Sequence, residues 1–226
     1  MPMTTSQPMQ ITTVDDAREA LVRYGRRMAA DRLVVGSAGN ISIRIGEHLV
    51  MTPSGVSYDR ISPADVCVLD SAGTVLDGNG SRSSEWPLHR KVYEVTEAGA
   101  VVHTHSPFAV AVSTICDEIP AVHYSVLRLG GPTVPVAPYA TFGSDRLAAL
   151  AGAALRGRAA VLLQNHGTVC YGTTLAEAYD RAVLLEWLAE VYWRARLAGS
   201  PRILSDAELD DVRASARAHR YQTGGA

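Results

Sequence analysis

The segment Val101-Val102-His103-Thr104-His105 sets two imidazoles one residue apart in an apolar run. Residues i and i+2 of a strand point to the same face, so His103 and His105 would stand side by side. Two neutral imidazoles that close can share one divalent ion, and zinc suits nitrogen ligands. A third imidazole, His166, follows the apolar run 159–163, and Glu85 offers a carboxylate. Together they would make a tetrahedral set. The competing reading is a hydrogen-bonded polar pair, because His-x-His on a strand is often no more than that. Spacing along the chain does not decide whether His166 and Glu85 meet the pair in space. His48, His89, His123 and His219 lack such pairing and read as surface or structural histidines.

Three clusters of small residues accompany the histidines: Ser37-Ala38-Gly39-Asn40, Thr52-Pro53-Ser54-Gly55 and Ser83-Ser84. They offer backbone N–H groups and short hydroxyl donors without bulk, which suits a phosphate, above all at a helix N-terminus. Ordinary turns use the same residues, and singly each cluster reads as a turn. The chain has no Walker or Rossmann glycine pattern, so nucleotide binding is not indicated.

These groups need elements to hold them. Thr13 and Asp16 have capping-box spacing ahead of a helix whose apolar residues Val14, Ala17, Leu21, Tyr24 and Met28 lie on one face. Ile41, Ile43 and Ile45 alternate with polar residues as a strand does, and 49–52 reads as its partner. The spans 66–69 and 74–76 read as a hairpin around Asp70-Ser71-Ala72-Gly73. A helix is expected over about 85–96, capped by Ser83 or Ser84, with Pro87 in its first turn. Strands are expected at 100–104, 134–136 and 159–163. Ser106-Pro107 opens a helix through Ile115, and Ser144 caps one to about Leu155. Capping boxes at Thr174 with Glu177 and Ser205 with Glu208 start the last two helices. This mixture predicts one α/β domain over residues 1–226, with a mostly antiparallel central sheet covered by helices in three layers. Residues 1–10 and 223–226 read as disordered.

The 226 residues are 47% apolar with a formal net charge of −2. That supports a sizeable core and indicates neither a nucleic-acid partner nor a membrane surface. Cys67, Cys116 and Cys170 are scattered and odd in number, which argues against a disulfide framework and for a reducing cytoplasm. The N-terminus has no apolar signal core, and no apolar run approaches the roughly 20 residues of a membrane span.

Taken in order, the segments Ser-Ala-Gly-Asn-Ile-Ser (37–42), Met-Thr-Pro-Ser-Gly (51–55), Ser-Ser-Glu-Trp (83–86), Val-Val-His-Thr-His (101–105), Ile-Pro-Ala-Val-His-Tyr (119–124), Ala-Pro-Tyr-Ala-Thr-Phe-Gly (137–143) and Leu-Leu-Gln-Asn-His-Gly (162–167) resemble the class II aldolase/adducin family. The resemblance runs over about residues 17–209 and is greatest to the fuculose-phosphate aldolases. It implies one zinc ion per subunit on Glu85, His103, His105 and His166, with Glu85 also the catalytic acid/base. It implies a phosphate pocket from Ser37, Gly39, Asn40, Ser54, Gly55, Ser83 and Ser84. Phe142 would lie near the aldehyde end, and Tyr124 would act in a neighbouring subunit's site within a homotetramer. The implied reaction is cleavage of a ketose 1-phosphate, L-fuculose 1-phosphate first among them, to dihydroxyacetone phosphate and a short aldehyde such as L-lactaldehyde through a zinc-held enediolate.

Two positions depart from the family pattern. Arg82 stands where proline is usual, either adding a cation near the phosphate or facing solvent. In the tail, His219 or Tyr221 stands where a closing tyrosine is expected. A pentulose-phosphate 4-epimerase shares the resemblance but usually carries Asp at the place of Glu85. Sugar-phosphate dehydratases, decarboxylases and the non-catalytic adducin type are the other readings, and the intact ligand set disfavours the last.

Overall fold

The alternation over 41–45 becomes strand β1 (Asn40–Ile45), which turns at Gly46-Glu47 into β2 (His48–Met51) with Ile43 opposite Val50. These coordinates are a computed structural model that describes residues 11–219. The readings made for 1–10, Tyr221 and 223–226 lie outside that range. Strands β3 (Cys67–Leu69), β4 (Val75–Asp77), β5 (Ala100–Thr104), β6 (Glu118–Ile119), β7 (Val134–Ala137), β8 (Ala160–Leu163) and β9 (Gly167–Gly172) complete one nine-stranded sheet, in the order β4-β3-β2-β1-β5-β9-β8-β7-β6. All neighbours are antiparallel except β7 and β8.

Helices cover both faces of this sheet. On one side lie α1 (Val14–Ala30), α3 (Pro107–Ser113), α5 (Leu175–Ala198), α6 (Asp206–Ala218) and a 3₁₀ segment, Tyr124–Leu129. On the other lie α2 (Trp86–Val95) and α4 (Asp145–Ala154). The strands divide their side chains between the two cores with period two: Ala100 and Val102 face the α5 side, Val101 the α2 side. His103 is in phase with Val101, so the histidine pair leaves β5 on the α2 face. The three-layer α/β architecture expected from the sequence is the one observed.

Several boundaries differ. The helix expected from 85 starts at Trp86, with Glu85 itself at the cap position; Ser83 Oγ accepts the Glu85 backbone N–H at 3.2 Å. Helix α3 ends at Ser113 rather than Ile115. The box at Thr174 is half formed: Thr174 caps the Glu177 N–H, while the Glu177 carboxylate accepts from Thr173 instead. The boxes at Thr13 and Ser205 are complete. Strands β6 and β9 and the 3₁₀ segment were not expected. Among the described residues no helix is long and apolar enough to cross a membrane.

Candidate metal centre and adjoining pocket

The central strand β5 is wholly buried, flanked by β1 and β9 and covered on both faces. Its register sets Asn40 of β1 opposite His103, and Thr168 of β9 opposite Thr104. The loop between β8 and β9 returns His166 to the same place. Asn165 makes that turn at φ 57°, a left-handed conformation that Asn tolerates better than most residues, and its N–H donates to the buried Ser113 Oγ at 3.1 Å. Glu85 arrives from the start of α2.

One donor atom from each of Glu85, His103, His105 and His166 falls within a 4.8 Å cluster. His103 Nε2 lies 2.9 Å from His105 Nε2 and 2.7 Å from Glu85 Oε2, and His166 Nε2 is 3.3 Å from Glu85 Oε1. The other nitrogen of His103, Nδ1, donates to the Thr168 carbonyl oxygen at 2.8 Å. A carbonyl accepts only, so Nδ1 carries the proton and Nε2 turns a lone pair toward Glu85. Two lone pairs facing each other at 2.7 Å require a positive charge between them, a proton or a metal ion. Glu85 Oε1 is also buried and accepts no hydrogen bond from the described residues. Three imidazoles, a carboxylate, a fixed tautomer and an orphaned oxygen fit a divalent metal.

The ionisation of the cluster follows from the same contacts. Burial pushes the Glu85 carboxyl up, but His103, His166 and the Asn40 amide together hold it below the usual carboxylate range. Burial by itself would lower His103, and the Glu85 carboxylate outweighs it and raises it. Burial and then the neighbouring imidazoles lower His105 to about 3 and His166 to about 4. Neutral His105 and His166 beside an ionised Glu85 are the forms that ligate metal.

Beside this cluster opens a cavity of about 360 Å³. Ser37, Gly39, Asn40, Ser54, Gly55, Ser83, Ser84 and Phe142 all line it, together with Glu85, His105 and His166, while His103 is buried behind. Gly39 is required: its φ is 71°, and a Cβ there would meet the His103 carbonyl oxygen at 2.7 Å. The Asn40 amide is committed to Glu85, donating to Oε2 at 3.2 Å. Ser83 and Ser84 lie just ahead of the α2 N-terminus, whose N–H groups favour an anion. Arg82 does not line the cavity; it is exposed to solvent, and its guanidinium donates to the Gly73 carbonyl at 2.7 Å. Tyr124 is outside the cavity, 53% exposed and stacked on His123. His219 caps the C-terminus of α6. Sequence reasoning passed over Tyr139 and Asn165, which also line the cavity. The Asn-His-Gly turn was the available signal for Asn165; Tyr139 is set by its N–H to Gln164 Oε1, a contact across 25 residues.

The model of the class II aldolase and adducin N-terminal domain matches residues 19–193. The chain belongs to this family. Among class II aldolase relatives, a 5-methylthioribulose-1-phosphate/5-deoxyribulose-1-phosphate aldolase of Rhodospirillum rubrum is 40% identical over 196 residues, 86% of this chain and 88% of that protein. The L-fuculose phosphate aldolase of Escherichia coli K12 is 37% identical over 176 residues, 77% of this chain and 81% of that one. A solved L-fuculose 1-phosphate aldolase superposes with a TM-score of 0.84 at 32% identity, covering 89% of this chain and 96% of its own. The family assignment and the histidine–carboxylate cluster thus rest on separate observations.

Proposed function

We propose that the protein is a zinc-dependent aldehyde-lyase that cleaves a ketose 1-phosphate to dihydroxyacetone phosphate and a short aldehyde. The observation that carries this reading is the cluster of Glu85, His103, His105 and His166 at the wall of a cavity otherwise lined by hydroxyls and small residues. Those four residues would hold the metal, whose Lewis acidity polarises a carbonyl. Glu85 is the one carboxylate among the lining residues. Its position suits it to move a proton at the carbon next to the substrate carbonyl. The hydroxyls of Ser37, Ser54, Ser83 and Ser84, with the α2 N-terminus and the backbone at Gly39 and Gly55, receive the phosphate and orient the reacting end. In cleavage, the substrate hydroxyl proton leaves by way of Tyr124 of a neighbouring subunit, which passes its own proton on through solvent to Glu85 as it takes up the substrate's; the carbon–carbon bond breaks, and the aldehyde leaves. Glu85, protonated in that exchange, gives the proton to the carbon that keeps the bonding electrons. This arrangement requires an oligomer with sites between subunits, and the form proposed is a homotetramer.

L-Fuculose 1-phosphate is the first substrate to test. A 5-deoxy- or 5-methylthiopentulose 1-phosphate is the second reading, favoured by the name of the 40% identical relative and by the exposed aromatic faces of Tyr139 and Phe142 at the cavity. The test is a coupled assay of dihydroxyacetone phosphate release from both sugars by zinc-loaded protein, a chelated control and Glu85→Gln. Release that needs metal and falls by about 10²- to 10⁴-fold in the variant is expected. No release from metal-loaded, folded protein would sink the aldolase and move weight to the epimerase, dehydratase and decarboxylase readings.

A further inference from the structure

Strand β1 carries a polar stripe, buried at Asn40 and Ser42 and exposed only at its Arg44 end, that a strand packed between two helical layers does not need. Ile41 and Ile43 point into the α1 and α5 core, while Asn40, Ser42 and Arg44 point the other way, toward α2. Helix α2 and its cap answer with Glu85, His89 and Tyr93, four residues apart on one stripe. Three rungs result. Asn40 Nδ2 donates to Glu85 Oε2 at 3.2 Å. Ser42 Oγ is 2.7 Å from His89 Nδ1 and 2.9 Å from the Tyr93 hydroxyl. Arg44 donates to the Tyr93 carbonyl at 2.8 Å, with its guanidinium over the Tyr93 ring. Four helical residues advance about 6 Å and two strand residues about 6.5 Å, so three rungs stay in step before the mismatch accumulates.

We propose that Ser42, His89 and Tyr93 are positioning residues for Glu85: their buried rungs fix how far α2 slides along β1, and that slide sets the reach of the Glu85 carboxylate into the histidine cluster. Ser42 and His89 are fully buried and Tyr93 nearly so. Any slip of α2 would strand their polar atoms without partners, which is costly in a dry interior. Apolar packing in the same place would be non-directional and would tolerate the slip. Among the described residues His89 Nε2 has no hydrogen-bond partner, and Ser42 is the polar contact found to hold the ring. The remaining rung, Asn40 to Glu85, is then the output of the lock.

The proposal rests on the metal-centre reading, and the test separates the two. Wild-type protein, Glu85→Gln, Ser42→Ala, Tyr93→Phe, His89→Leu and His89→Asn are each loaded with Co²⁺. Zn²⁺ affinity by chelator competition, the visible Co²⁺ spectrum and the thermal midpoint of the metal-free protein are recorded. Asn places an amide near the position of Nδ1 and keeps the rung; Leu does not. His89→Leu is expected to lose about 10- to 100-fold in Zn²⁺ affinity and to shift its Co²⁺ spectrum toward that of Glu85→Gln. His89→Asn recovers most of both. Should His89→Leu not fold, Ser42→Ala and Tyr93→Phe carry the comparison, with smaller shifts in the same direction. Wild-type affinity and spectrum in Ser42→Ala and in whichever of His89→Leu and Tyr93→Phe folds, with only the thermal midpoint lowered, would overturn the proposal and leave the ladder a purely structural device. Failure of the wild-type protein to bind either ion would overturn the metal-centre reading itself, and the proposal with it.

Discussion

At the scale of single residues, burial decides the chemistry. Burial first, and then the His103 charge, hold the His89 imidazole at about 3, against an ordinary value of 6.5. The unfolded chain therefore takes up a proton that the folded chain refuses. The stability tied to His89 is intact above about pH 6.5 and is lost progressively as pH falls toward 3. His105 and His166 are shifted the same way, to about 3 and about 4. The urea midpoint of the metal-free protein is thus expected to fall between pH 7 and pH 4, and His89→Asn to flatten that fall without removing it. An unchanged midpoint over this range would contradict the neutral buried histidines. Gly39 gives a second prediction at this scale. Gly39→Ala forces a Cβ against the His103 carbonyl in a left-handed conformation, at a cost of about 1–3 kcal/mol for the strain. Activity and thermal midpoint should drop together, by differential scanning fluorimetry alongside the release assay.

At the scale of elements, the site is held by how the ends of strands and helices are closed. The short helix α3 has no side-chain cap of its own; the Glu186 carboxylate of α5 accepts the N–H groups of Phe108 and Ala109 at 2.9 and 2.8 Å. The far end of α3 supplies Ser113 to the Asn165 turn. Helix α5 therefore reaches the metal centre through α3. Ser113→Ala leaves the part-buried Asn165 N–H contact unmade, and the measured effect should be weakened metal affinity with little change in far-ultraviolet circular dichroism. Helix α6 is a contrast. Its Ser205–Glu208 box is complete but distant from the cluster, so Ser205→Ala should cost about 1 kcal/mol of stability by urea titration and leave metal affinity unaltered.

For the whole molecule, the decisive property is that the metal centre draws its donors from α2, β5 and the turn between β8 and β9, and so exists only in the folded chain. A ligand that binds the folded form alone stabilises it by mass action, about 2.7 kcal/mol when present at 100 times its dissociation constant. Chelation is expected to lower the thermal midpoint, and re-addition of Zn²⁺ to restore it. The exposed Tyr124, which does not line this chain's own cavity, belongs to the same scale. If it serves a neighbouring site, sedimentation equilibrium should return four times the chain mass, and Tyr124→Phe should lower kcat with metal affinity unchanged.

The pairing of His103 with His105 was legible in the sequence, because strand alternation is local and needs no partner to be inferred. So were the Thr13 and Ser205 boxes, each set by contacts within a few residues. The family resemblance brought Glu85, His166 and the small-residue loops into one proposal where spacing alone left them apart. Other features depended on neighbours distant in sequence. The run Gly167–Gly172 is a strand because β5 and β8 satisfy its backbone from both sides, which no alternation within it announces. Arg82 turned from the anion pocket to a carbonyl of the β3–β4 turn, and Tyr139 reached the cavity through Gln164. Residue types and local periodicity determined which side chains could ligate a metal. Only the tertiary structure decided that they converge, because the approach of Glu85 to the histidines is set by the docking of α2 on β1, a contact between segments more than forty residues apart.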